Sequence, residues 1–223
     1  KGYGRYLVGE NRLQLDTLDV STPSGNMRGK LQVGFGGTGP EIRFNAVVEN
    51  MRTTVVKQLW PYWIASKPRQ WVLENLYGDM IPKGTIDVFI PQNRLSIDPT
   101  PVRLNADELK IGFDLEDARL NLTGELPPLR DVYGRFDMVG ERVDVAIRSA
   151  GSFFPSGRMV KLESGRLVLQ DAYEKPLMAD IDLDIAGAAD AVAELVSFKP
   201  IEALKVVDLE PSDFSGKVRG KAK

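Results

Sequence analysis

Apolar and polar residues alternate with a period of two along most of the chain. Leu13 and Leu15 share one parity, followed by Leu31, Val33 and Phe35 and then by Ile42, Phe44, Ala46 and Val48. Between them, Thr22-Pro23-Ser24-Gly25-Asn26 and the run from Gly36 to Pro40 carry turn chemistry. Successive side chains of a strand point to opposite faces, so residues 1–52 read as an antiparallel β-meander. The alternation resumes more cleanly with Leu109, Ile111, Phe113 and Leu115 set against Lys110, Gly112 and Asp114. It continues through Leu120 and Leu122; Phe136 and Met138; Val143, Val145 and Ile147; Leu167 and Leu169; and Ile181, Leu183 and Ile185. Each strand has one apolar and one wetted side, the signature of antiparallel sheets with one buried face.

Two stretches break this pattern. Val55, Val56, Leu59 and Trp60 fall on one side of a helix of period 3.6, and Pro61 ends it. Ser66 is placed to cap a second helix, with Pro68 in its first turn, Trp71, Val72 and Leu76 on its apolar side and Gly78 as a left-handed stop. Gly84 then opens a strand carrying Ile86, Val88 and Ile90 on one face. The second break runs from Ala188 to Val196, with Val192, Leu195 and Val196 on one face, and Pro200 restarts a helix through Val207.

The chain thus divides into a β-meander over 1–52, a helix pair over 53–78, an antiparallel sheet over 79–187, a second helix pair over 188–210, and the start of a further β unit over 211–223. Pro68 and Gly84 recur as Pro200 and Gly216 at an offset of 132 positions. Helix, proline, helix, glycine and strand therefore occur twice with matched spacing, as in a repetitive architecture read as one continuous domain. The fold class is mainly β with inserted helices.

Composition narrows the chemistry. Among 223 residues there is no histidine and no cysteine, which removes thiol nucleophiles, Ser-His-Asp arrangements, ordinary zinc sites and disulfides. Lysine plus arginine number 29 against 31 acidic residues, a formal charge of -2, so nucleic acid is not an expected partner. No run approaches the roughly 18 uncharged apolar residues of a membrane-spanning helix. The chain opens Lys1-Gly2-Tyr3 without the order of a signal peptide, and reads as a piece of something longer.

Short motifs resolve into turns and faces. Gly34-Phe35-Gly36-Gly37-Thr38-Gly39 matches the dinucleotide fingerprint in letters, but Pro40 and a strand follow where a helix is required. Gly25-Asn26-Met27-Arg28-Gly29-Lys30 is one residue short of a phosphate loop and has Leu31 in the metal-binding position. Asp180, Asp182 and Asp184 stand about 6.6 Å apart along a strand, too far to share one calcium without loops. Glu41, Glu49 and Glu108 have no partner at catalytic spacing. Asn121-Leu122-Thr123 is a formal glycosylation sequon whose Leu122 belongs to a buried pattern. No catalytic residue, metal or cofactor is expected. Trp60, Trp63 and Trp71 pin the helix pair to the sheet or edge an apolar cavity.

Three longer segments carry a resemblance. Lys57-Gln58-Leu59-Trp60-Pro61, Ile64 through Leu76 and Gly84-Thr85-Ile86 form the first, Leu126-Pro127-Pro128-Leu129-Arg130-Asp131-Val132-Tyr133-Gly134-Arg135-Phe136 the second, and Ile185 to Gly220 the third. Together they resemble the AsmA-like proteins of Gram-negative bacteria, in the YhdP branch related to TamB and the bridge-like lipid transfer proteins. The resemblance implies a long curved antiparallel sheet forming an open apolar groove with helix pairs at its side or end. It also implies a periplasmic location in a parent anchored in the inner membrane, and phospholipid acyl chains as the cargo. Under that reading Leu109, Ile111, Phe113, Leu120, Leu122, Phe136, Val143, Val145, Ile147, Leu167, Leu169, Ile181, Leu183 and Ile185 line the trough. By pattern alone the same residues suit a closed sandwich core. An envelope scaffold that receives strands of outer-membrane proteins is the alternative function.

Overall fold

The computed structural model describes residues 1–62, 64–95, 102–122, 124–175, 178–206 and 208–222. Alternation becomes strand wherever a turn residue lets the chain reverse. Strands β1 (Gly2–Leu7), β2 (Arg12–Thr22), β3 (Gly25–Gly34) and β4 (Glu41–Arg52) form the meander. After helices α1 (Thr53–Leu59) and α2 (Ser66–Asn75) come the short β5 (Leu76–Tyr77) and β6 (Met80–Ile90). Then follow β7 (Leu109–Leu120), β8 (Leu129–Val139), β9 (Arg142–Phe153), β10 (Met159–Leu169) and β11 (Asp180–Ala188). Helix α3 (Ala189–Ser197) precedes the last strand, β12 (Lys217–Ala222).

All twelve strands belong to one antiparallel sheet in the order β1-β2-β3-β4-β6-β7-β8-β9-β10-β11-β12, with β5 beside β7. The sheet is open: among the described residues β1 pairs only with β2, and β12 only with β11. Apart from β5, strands that pair follow one another along the chain, with helical excursions between β4 and β6 and between β11 and β12. At the tight β2–β3 turn Gly25 has φ +128°, and a Cβ there would meet Met51 Cα at 2.4 Å, so only glycine fits.

The register lines apolar residues into rows that cross the sheet. One row runs Met27, Val48, Gly84, Phe113, Phe136, Val145, Leu167 and Ile181, from β3 to β11. A second runs Gly29, Ala46, Ile86, Ile111, Met138, Val143 and Leu169. At about 4.8 Å between strands the first row spans about 34 Å. The opposite face is charged, with Arg135 between Asp114 and Asp137, Asp144 between Arg142 and Arg166, and Arg219 on Glu163. Asp184 is bonded by Ser164 and lies near Lys221, and Asp180 accepts from Gln170, so the β11 aspartates belong to a wetted face.

The helical segments depart from expectation at their ends. Ser66 is the first residue of α2 rather than its cap; Ala65 holds that position in a left-handed conformation with no side-chain cap. α2 stops at Asn75, because Leu76 and Tyr77 pair with Leu120 and Arg119. Gly78 does not adopt positive φ; it lies where the chain passes Ala118. β6 starts at Met80, so Gly84 is internal to it. Among the described residues of the second helical region, only α3 is α-helical. The amides of Ile201 and Glu202 both bond to Phe198 O, Glu202 turns left-handed at φ 48°, and the chain continues as 3-10 turns at Ala203–Val206 and Pro211–Asp213. Val207 and Trp63 lie outside the described residues. Phe35, grouped by parity with Leu31 and Val33, sits past the end of β3 and is exposed.

α3 packs Ala191 against Phe154 and Val160, and Arg158 in the β9–β10 turn reaches it twice, Nε to Asp190 at 2.7 Å and Nη1 to Glu194 at 2.9 Å. The hydrogen bond from Arg158 holds the Asp190 carboxyl below its ordinary range. A depressed carboxylate pKa stabilises the fold above the unfolded value, near 3.9, and that contribution is lost as pH falls through the folded value. Melting temperature followed from about pH 5 down to about pH 2 is therefore expected to fall less steeply in Arg158→Gln than in the native chain.

Candidate functional site

The α1–α2 hairpin returns onto the sheet. It leaves beside Asp79, where Thr53 N donates to Asp79 O at 3.1 Å, and its tip reaches the β6–β7 connection, where Ile64 bridges Val102. It comes back to the first end at Asn75, whose carbonyl accepts from Asn121 N at 2.8 Å. The hairpin therefore covers the apolar face lengthwise.

Its own bonds hold the tip closed. Pro61 ends α1 after Leu59, the Trp60 indole Nε1 donates to Ile64 O at 2.9 Å, and Arg69 Nε donates to Trp60 O at 2.9 Å. At the other end Lys57 donates to Leu73 O at 3.1 Å and to Leu76 O, and lies 4.7 Å from the centre of the Tyr77 ring. A cation on the last carbonyls of α2 satisfies acceptors that the helix leaves open. Burial lowers the Lys57 pKa from its ordinary value. Lys57→Met keeps the aliphatic stem and removes the bonds; an expected loss of about 1–2 kcal/mol follows from the freed carbonyls, measured by urea unfolding.

Between the hairpin and the sheet lies a cavity of about 230 Å³. Leu31 of β3, Ile42, Phe44 and Val48 of β4, Gly84, Thr85, Ile86, Val88 and Ile90 of β6 and Ile111, Gly112 and Phe113 of β7 form its floor, and Val56, Leu59, Trp60, Pro61 and Ile64 its roof. The sheet side chains come from consecutive rows of the same face. Val48 packs directly onto Gly84, where a Cβ would meet Val48 Cγ2 at 2.6 Å.

The fourteen residues expected to line a trough divide by burial. Leu109, Phe113, Leu120, Phe136, Val143, Val145, Ile147 and Leu169 are buried in one cluster with Trp60, Ile64, Val72 and Leu76 of the hairpin. Ile111, Leu122, Leu167, Leu183 and Ile185 are half-buried against the same cluster, and Ile181 is 43% exposed. Of the whole set only Ile111 and Phe113 reach the cavity. The remaining lining comes from strands β3, β4 and β6, from Gly112 of β7, from α1 and from the link between α1 and α2. The alternation of Ile42, Phe44, Val48, Ile86, Val88 and Ile90 marked them as one face, but nothing in their spacing showed that the hairpin folds over that half of the sheet.

Two of the acidic residues singled out by the sequence are engaged locally. Glu108 is buried and accepts from Asn105 N at 2.9 Å with Arg94 3.8 Å away, and Glu41 pairs with Arg43 at 3.3 Å. Among the described residues no group of three or more acidic side chains is placed to hold a metal ion, and no helix is long and apolar enough to cross a membrane. The glycine run 34–39 is the β3–β4 turn, where Asn93 Oδ1 accepts from Thr38 N at 2.8 Å. Trp60 is buried and Trp71 packs against the core. Comparison of the chain with protein-family models, with curated proteins and with solved structures finds no match.

Proposed function

We propose that the chain is a non-enzymatic lipid-carrying segment, one stretch of an open apolar groove along which phospholipid acyl chains move between membranes. The observation that carries the reading is the two apolar rows on one face of an open sheet, one crossing from β3 to β11 and the other from β3 to β10. An acyl chain offers only methylenes, each worth about 0.8 kcal/mol when removed from water. A carrier of such chains needs apolar area continuous from strand to strand, with no reactive group. The half-buried flanks, with Leu13, Leu15 and Leu18 on one side and Leu183 and Ile185 on the other, supply entry and exit for tails. The resemblance to AsmA-like proteins supports the same reading and sets it in the periplasm, within a parent anchored in the inner membrane and directed to the outer membrane.

Vesicles containing a phospholipid with a photoactivatable diazirine in its tail test this. Irradiation is expected to label peptides of the apolar face in β3 to β11; labelling confined to the charged face, or none above a soluble diazirine control, overturns it. The outer edges of β1 and β12, unpaired among the described residues, favour a second reading, a scaffold that adds strands of outer-membrane proteins. Capture of such strands by protein that takes up no lipid supports the scaffold.

A further inference from the structure

We infer that the cavity beneath α1 seats a single hydrocarbon tail lying along the strands, across the direction of the apolar rows. The inference rests on the lipid-carrying reading and goes beyond it. The rows let a tail pass from strand to strand, whereas this cavity holds one in place.

Three features select the occupant. The lining on β6 runs from Gly84 to Ile90, about 20 Å at 3.3 Å per residue, so the space is long in the strand direction. Its volume, about 230 Å³, exceeds the roughly 150 Å³ apolar cavity that takes up a benzene ring, but by less than twofold. That is room for a stretch of one tail and not for two side by side. Finally, the lining offers no partner to a polar guest. Ile86, Val88, Ile111 and Phe113 lie in paired strands whose backbone groups are engaged by their neighbours; Thr85 has the parity of the opposite face, and the Trp60 indole N–H is engaged by Ile64 O. An extended peptide would bring amides that find no acceptor, and a tail brings none. Leu59, 47% exposed at the end of α1, marks the rim, which leaves a headgroup in water.

Trp60 in the roof is the reporter. With Trp63→Phe and Trp71→Phe, Trp60 is the remaining indole, and bromine on a bound fatty acid quenches it on contact. Titration with dibromostearate is expected to quench Trp60 and to saturate at one equivalent. Ile86→Phe fills the cavity from the sheet and Val56→Phe from the helix; each is expected to weaken binding by about tenfold, 1.4 kcal/mol. Thermal melting checks that each variant is folded, and the quenching in the parent protein stands without them. Fatty acid that binds without quenching Trp60, binds at more than one equivalent there, or binds equally well to the folded filled variants overturns the seat and leaves the lipid-carrying reading standing. Protein that binds no fatty acid and takes up no phospholipid overturns both.

Discussion

Replacing Phe136 with alanine is expected to cost about 3–5 kcal/mol of stability, the range for aromatic truncation in a core that cannot collapse. Phe136 is 2% exposed and stacks on Phe113 with ring centres 4.5 Å apart and planes 14° from parallel. In register it stands between Phe113 and Val145 in the longest apolar row. Its neighbours are fixed by ladder pairing on both sides, so the space left by the ring persists. The adjacent Arg135 provides the control. Its guanidinium pairs with Asp114 and Asp137 at 2.9 Å on the charged face, with the side chain 40% exposed, and Arg135→Ala is expected to cost less than about 1 kcal/mol. Urea unfolding of the two variants measures the contrast. Near-equal costs would mean that the middle of the apolar face is wetted rather than packed.

Trp60→Ala carries the second large effect, an expected loss of about 3 kcal/mol. The indole is buried, roofs the cavity and donates to Ile64 O, while the Trp60 carbonyl anchors Arg69. Truncation removes apolar area and unties the tip of the hairpin together. The damage is local, because the strands beneath keep their own ladders. Amide hydrogen exchange is therefore expected to accelerate over 53–75 and to stay slow in β8 and β9. Uniform acceleration along the chain would show that the hairpin is integral to the sheet's stability and not a cover laid on it.

Much of the architecture was legible because period-two alternation is a local property. Parity placed Leu109, Ile111 and Phe113 on one face, and the pairing of Ile111 with Met138 and of Phe113 with Phe136 follows once each turn has few residues. The open sheet was not decided by parity, since a closed sandwich uses the same alternation. What separates them is the neighbour list of β1 and β12, a non-local fact. The cavity was hidden for the same reason. It exists because Ile64 bridges Val102 and Lys57 takes the last carbonyls of α2, contacts made across 38 and 16 positions of chain. The early end of α2 is likewise tertiary: pairing of Leu76 with Leu120 outweighs the helical preference of the segment.

Native mass spectrometry of the protein after exposure to phospholipid vesicles, and after separation from them, shows whether the chain carries lipid. The protein is expected to carry phospholipid away as a discrete added mass, reduced in Ile86→Phe. Bare protein alone, from a sample whose hydrogen exchange shows the sheet intact, would contradict it.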